Sequence, residues 1–135
     1  MFYEFAVTVP ANTPASSPLR QTVTLVPGTL VGVSLQFPPG CVGLVHAQIW
    51  EANHQRWPSN PGGSISADGV VVAWQEDYPL VTEPYQFILL VWNQDDTFAH
   101  TVTFRLNLIE QRRLEERTGP LGLLRRMAEV LGVRS

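Results

Sequence analysis

Histidine has the widest chemical reach of the side chains in this sequence, because imidazole both binds metals and transfers protons near neutral pH. The three histidines are His46, His54 and His100, and no two of them have the H-x-H or H-x-x-x-H spacing of a local metal site. A metal centre or a catalytic base would need the fold to bring a histidine and an acid together. We expect hydrogen-bonded histidines, with His46 on a polar strand face and His100 on an apolar one, and we expect no metal and no cofactor.

Two pairs of neighbouring acids, Glu76-Asp77 and Asp95-Asp96, are the next candidates for chemistry. General acid–base catalysis needs carboxylates that face each other, whereas neighbours in a loop more often accept backbone N–H groups in turns. The segment NQDDT lacks the alternating oxygen ligands of a calcium loop. We expect Cys41 to be a small buried residue. The sequence contains no G-x-S-x-G, P-loop or dinucleotide-binding motif. The sequence therefore predicts no catalytic residues; an enzyme would require histidines to meet acids in a pocket.

Four tryptophans are more than a small core requires, and they suggest an alternative role in ligand binding. Trp57 lies in the polar stretch HQRWPSNPGG and is the best candidate for an exposed ring. Exposed tryptophan stacks on sugar rings or anchors a protein interface. A carbohydrate-binding module would use Trp57 and Trp50 beside Gln55, Arg56 and Asn60, and packing at a strand end is the competing explanation.

The elements that must position these residues are predicted to be β-strands, because apolar and polar residues alternate along most of the chain. HQRW (54–57) suggests a short strand, and the longer predicted strands are 2–9, 20–26, 29–37, 42–50, 70–75, 85–93 and 98–109. The most apolar of them, 85–93, is expected at the centre of a sheet. Residues 10–18 contain three prolines and form a connection or an arm, 76–84 form a loop, and NQDDT (93–97) closes a hairpin. Strands without crossover helices predict one antiparallel β-sandwich or jelly roll over residues 1–109.

Residues 110–135 change character and are predicted to form a C-terminal helical arm. The stretch EQRRLEER is charged and helix-prone, Gly119-Pro120 interrupts it, and Thr118 can cap the helix that follows. A helix of about 12 residues is marginal alone, so it must dock on a surface to be stable. Its predicted contact residues are four apolar side chains and two arginines that would pair with acids: Leu121, Leu124, Met127, Leu131, Arg125 and Arg126.

Charge is distributed unevenly between the body and the arm. Residues 1–104 carry two arginines against eight acids, a net charge of −6, whereas residues 105–135 carry seven arginines against four acids, a net of +3. An acidic body repels phosphates, which argues against nucleic acid as a partner, and it suits docking of one subunit's arm on another subunit's body. No stretch approaches 18 apolar residues, no signal peptide is recognisable, and one cysteine permits no intrachain disulfide. We therefore expect an intracellular product without a membrane span.

The run QTVTLVPGTLVGVSLQFPPGCVGLVHAQIW, followed by QRWPSN and YQFILLVWNQDDTFAHTVTFRLNLI, resembles small jelly-roll accessory proteins of tailed-phage virions. The resemblance covers roughly residues 20–109 and rests on the overall pattern of strands and turns. It implies a non-enzymatic sandwich that decorates or cements a capsid lattice as a homo-oligomer, often a trimer, with terminal arms that reach neighbours. It also implies a virion protein made in the host cytoplasm. The paired-histidine motif of cupin enzymes, another jelly-roll group, is missing.

Overall fold

The computed structural model describes residues 1–111 of the chain and contains eight β-strands. In order, β1 to β8 are Phe2–Val9, Leu19–Thr24, Gly28–Gln36, Val45–Glu51, His54–Trp57, Val71–Leu80, Gln86–Asn93 and His100–Glu110. The all-β prediction is confirmed for this part of the chain, and HQRW forms the short strand β5. Within residues 1–111, no helix has the length and the hydropathy that a membrane span requires.

The strands form two four-stranded antiparallel sheets. Sheet 1 has the order β1-β8-β3-β6, and sheet 2 has the order β2-β7-β4-β5. The pairs β1–β8, β2–β7, β3–β6 and β4–β5 are nested, as if one long hairpin had been folded over to face itself. This is the topology of a jelly roll. β7 pairs with both β2 and β4, which confirms the prediction that the most apolar strand is central in its sheet.

The core lies between the two sheets and consists of the inward-facing alternate residues of the strands. In β8 the alternate residues from Val102 to Leu108 are buried, while their neighbours remain at least partly exposed. β7 is buried on both faces, because Trp92 on its outer face is covered as well. Part of that cover is the ring of His46, which stacks on Trp92 with the ring centroids 5.3 Å apart. Cys41 is also buried, as predicted.

β6 is longer than the sequence predicted, which corrects the assignment of residues 76–84 as a loop. The strand runs to Leu80, and its side chains directed toward the core include Glu76 and Tyr78. Polar residues at these inward-facing positions interrupt the alternation of apolar and polar residues by which a strand is recognised in the sequence. They are tolerated because each is hydrogen-bonded: two indole N–H groups donate to Glu76, and the Tyr78 hydroxyl donates to Glu51.

The NQDDT segment does not close a hairpin, which corrects a second prediction. β7 belongs to sheet 2 and β8 to sheet 1, so residues 94–99 cross from one sheet to the other. Asp95, the first acid of this segment, nevertheless stabilises a turn as predicted, because its Oδ1 accepts the N–H groups of Thr97 and Phe98 at 2.9 and 3.2 Å. Residues 10–18 also cross between the sheets, as the irregular connection that the three prolines predict.

The two ends of the sandwich carry different parts of the chain. We call the end that carries the connections 10–18, 37–44, 66–70 and 94–99 the distal end. The opposite, proximal end carries Met1, Gln111 and the connections 25–27, 52–53 and 81–85. The Gln111 N–H donates to the Pro27 carbonyl at 2.8 Å, so the chain leaves the described part at the proximal end. The predicted helical arm, with all six of its predicted contact residues, lies outside the described residues.

Candidate functional site

The prediction that Trp57 is exposed is wrong. Its side chain is 6% exposed, and its ring lies edge-on to Phe87 and Tyr78 in the core. β5 is an edge strand whose register pairs Trp57 with the buried Ile49, and this register directs the indole inward. Its polar sequence neighbours belong largely to the connection that begins at Pro58. Trp57 is therefore a core residue and has no free face on which a sugar ring could stack.

Trp50 is half-buried on the outer face of sheet 2. Its indole N–H donates to Gln48 Oε1 at 2.9 Å, and Gln48 Nε2 donates in turn to the Gly63 carbonyl at 2.6 Å. These bonds tie the ring to a network that holds the connection after β5 against the sheet. Because Trp57 faces inward and Trp50 outward, the two predicted stacking residues do not form a common platform.

A tyrosine, a glutamate and an arginine form a compact polar group at the proximal end. The Tyr78 hydroxyl donates to Glu51, and the Arg56 guanidinium lies 3.7 Å from the same carboxylate and 5.6 Å above the Tyr78 ring centroid. Burial raises the pKa of Tyr78 to about 12, and the hydrogen bond to Glu51 adds to the shift. The Tyr78 hydroxyl is therefore protonated at physiological pH and remains a hydrogen-bond donor to Glu51.

A groove of about 380 Å³ opens beside this group at the proximal end. Its lining includes Thr22, Ile88 and His54 together with charged side chains of both signs, Glu51, Arg56 and Glu83. Arg56 Nε is buried and has no hydrogen-bond partner in the part of the chain that the structure describes. The volume suits a small molecule, but the mixture of charges does not select one ligand class.

The histidines do not converge on a common point. His46 is half-buried on the outer face of sheet 2, where its ring nitrogens lie 2.8 Å from Ser64 Oγ and 3.1 Å from Gln94 Oε1. His100 is half-buried at the start of β8, with Nε2 2.8 Å from Asp95 Oδ2. Both are hydrogen-bonded as the sequence predicted. Among residues 1–111, no group of three or more His, Cys, Asp or Glu side chains is placed to hold a metal ion.

Three exposed apolar side chains lie at the distal end. Val42, Val70 and Phe98 are 70%, 51% and 64% exposed, although valine and phenylalanine are normally buried. They come from three connections that are joined to one another. Asp68 Oδ1 accepts the Val42 N–H at 3.1 Å, and the Gln94 N–H donates at 2.9 Å to the carbonyl that ends the 37–44 connection. We call these three side chains the distal apolar residues; sequence alternation alone did not distinguish them from core positions.

The backbone at Val42 is strained in a way that displays its side chain. Its φ of 50° lies in the left-handed region, which costs a residue with a Cβ roughly 1–2 kcal/mol. Asp68 Oδ1 fixes this conformation by accepting the N–H groups of Gly40 and Val42, at 2.9 and 3.1 Å. Backbone strain of this kind is found preferentially at functional sites. Here it holds an apolar side chain in solvent, where it can be covered by a partner.

The distal end is also acidic. Asp68, Asp95 and Asp96 lie in its connections, which contain no arginine. The hydrogen bond from His100, and after it the one from the Thr97 N–H, lowers the pKa of Asp95, so its carboxylate is charged at neutral pH. Exposed apolar surface bordered by charge is typical of a protein–protein contact. The distal end is therefore the best candidate for a functional surface in the described residues.

Comparison with known proteins identifies no family for this chain. No family matches it, and no curated protein is similar to it at a significant level. Among solved structures, the chain is similar to PliG of Aeromonas hydrophila, a periplasmic inhibitor of g-type lysozyme. The identity is 11%, the likeness covers 81% of this chain and 85% of that chain, and the TM-score is 0.40. A likeness at this level carries no argument about function.

Proposed function

We propose that this protein is a non-enzymatic structural protein that self-assembles and binds a larger protein lattice through its C-terminal arm. The observation that carries the proposal is the exposure of the distal apolar residues, which are three of the seven large apolar side chains exposed in residues 1–111; the others are Met1, Phe2, Val71 and Val81. Apolar surface of this kind is usually covered by a partner. The resemblance of the sequence to tailed-phage accessory proteins makes a capsid decoration protein or minor virion protein the setting that we favour, with a trimer as the assembly.

The sequence of the arm supplies the complementary chemistry. Burying each of its larger apolar side chains, such as Leu121, Leu124 and Leu131, contributes roughly 1.5–3 kcal/mol before the cost of ordering the chain. Arg125 and Arg126 suit the body, because residues 1–111 carry three arginines against nine acids, a net charge of −6. An arm tethered to a folded body binds at high effective concentration, so a modest contact is sufficient for stable assembly.

Deletion of residues 118–135 tests the proposed function. The full chain is expected to show a mass that is a multiple of 15.0 kDa in light scattering and to sediment with virions from the same source. The truncated chain is expected to be monomeric and to remain in the supernatant. Full chain carrying Val81→Asn is the matched control, because Val81 is exposed at the proximal end and is not part of the proposed contact. If the truncated chain kept both its oligomeric mass and its lattice binding, the proposal would be wrong.

A further inference from the structure

We propose that the C-terminal arm of one subunit docks on the distal end of the next subunit, so that the protein assembles head to tail. This inference rests on the proposed function and specifies the surface that receives the arm. The occupant is residues 118–135 of a second copy of this chain. The receiving surface consists of Val42, Val70 and Phe98 together with the neighbouring acids.

The first argument is chemical complementarity. The distal end combines exposed apolar side chains with the exposed acids Asp68 and Asp96. Residues 118–135 combine leucines, valines and a methionine with three arginines against one glutamate. The apolar side chains of the arm can cover those of the distal end, while the exposed carboxylates nearby attract the guanidinium groups of the arm. The proximal groove lacks this match, because its lining includes the guanidinium group of Arg56 as well as carboxylates.

The second argument is the length of the chain between the body and the arm. The arm starts from the proximal end, and β8 alone, from His100 to Glu110, separates it from the distal end by about 34 Å. The segment from Gln111 to Leu121, even fully extended, spans at most about 36 Å. A subunit would therefore need its entire linker stretched along its own β8 merely to bring Leu121 level with its own distal end. A neighbouring subunit placed end-on presents its distal end without that extension.

The third argument is symmetry. Two different surfaces meet in this contact, so the interface is heterologous, and such interfaces generate a ring if the rotation closes or a filament if it does not. A closed ring of three subunits gives the trimer proposed above. The contact also covers every distal end and uses every arm, so a closed ring leaves neither surface exposed.

Complementation between two full-length variants tests the direction of the contact. The end variant, Val42→Asn with Phe98→Arg, removes two distal apolar side chains and adds a charge that repels the arm. Asparagine tolerates the φ of 50° at position 42 better than valine does, so folding should be preserved. The tail variant, Leu124→Asp with Leu131→Asp, removes the apolar contact of the arm. A matched control, Val81→Asn with Phe2→Arg, makes the same chemical changes at exposed positions of the proximal end.

Each variant alone is expected to lose self-association by about a hundredfold, since two large apolar contacts are removed, whereas the control assembles normally. An equimolar mixture of the end and tail variants is expected to form a dimer in light scattering, because the intact arm of one meets the intact distal end of the other. Assembly by the end variant alone would show that the arm docks elsewhere, and the inference would be wrong while the proposed function stands. Loss of assembly by both variants without a mixed dimer would also overturn it. Unchanged assembly by the tail variant would instead overturn the proposed function. Should the end variant melt at a lower temperature than the control, Val42→Asn alone serves in the same mixture.

Discussion

Replacing Trp57 by phenylalanine tests whether this residue belongs to the core, as the structure shows, or to a ligand surface. The substitution keeps an aromatic ring beside Phe87 and Tyr78 but removes the indole N–H. That N–H donates at 2.6 Å to Glu76 Oε1, which accepts a second indole N–H from Trp74 at 2.9 Å. The change therefore isolates one hydrogen bond to a carboxylate and a small loss of volume.

The expected loss of stability follows from these two contributions. A hydrogen bond to a charged group contributes about 1.5–3 kcal/mol to stability. The smaller ring leaves a cavity of a few tens of Å³, which costs about 1 kcal/mol if the surrounding side chains do not collapse into it. The free energy of unfolding should therefore fall by about 2–4 kcal/mol, which a domain with a stability of about 5–15 kcal/mol survives in folded form.

Urea denaturation followed by far-ultraviolet circular dichroism measures this loss, because tryptophan fluorescence would itself be altered by the substitution. Trp74→Phe is the matched control: it removes the second donor to Glu76 from a half-buried position, so its cost should be smaller, about 0.5–1.5 kcal/mol. The double variant should cost more than the sum of the two, because Glu76 then retains neither indole donor. A loss below about 1 kcal/mol for Trp57→Phe, or a larger loss for Trp74→Phe, would refute the reasoning.

Three further predictions address the close approach of two strands, the raised pKa and the strained loop. Gly28→Ala should lower the free energy of unfolding, measured by urea titration, by more than about 2 kcal/mol, because the new Cβ would lie 2.1 Å from the Ile109 carbonyl oxygen. Gly32→Ala is the control: its Cβ would lie 3.6 Å from the nearest atom, so the loss of stability should be less than half as large. Because the pKa of Tyr78 is raised to about 12, the contribution of Tyr78 to stability is complete below pH 10 and is lost as the pH rises toward 12. Tyr78→Phe should therefore flatten the curve of unfolding free energy against pH in this range. An unchanged slope would show that Tyr78 is not the titrating group. Val42→Asn should relieve backbone strain and raise the free energy of unfolding by up to about 1 kcal/mol while weakening assembly in sedimentation velocity; a loss of stability would mean that Val42 is a packing residue.

The sequence predicts strands well where one face of the strand is apolar and the other is polar. Residues 98–109 alternate regularly, and β8 forms over His100–Glu110 because its apolar face covers the core. The prediction fails where polar residues point inward. Glu76 and Tyr78 interrupt the alternation of β6, and only the structure shows that indole donors and Glu51 satisfy them.

The position of the site residues was harder to predict, because it depends on pairing between distant segments. Trp57 has polar neighbours in sequence, yet its register opposite Ile49 places it in the core. Val42 and Phe98 look like core residues in sequence, and they become exposed because their connections cross between the sheets at the distal end. No local pattern distinguishes an apolar residue in such a connection from one in a strand, since the jelly-roll order is set by long-range pairs.

Disulfide cross-linking tests the central claim of arm-mediated assembly most directly. One full chain carries Phe98→Cys and another carries Leu124→Cys; the native Cys41 does not interfere, because it is buried and burial raises the pKa of its thiol. After mild oxidation of an equimolar mixture, the account predicts a cross-linked dimer between positions 98 and 124, identified by peptide mass spectrometry and removed by reductant. Replacing Phe98→Cys by Val81→Cys should abolish that product. If cross-links joined only like positions, or joined 81 to 124 as readily as 98 to 124, the account would be contradicted.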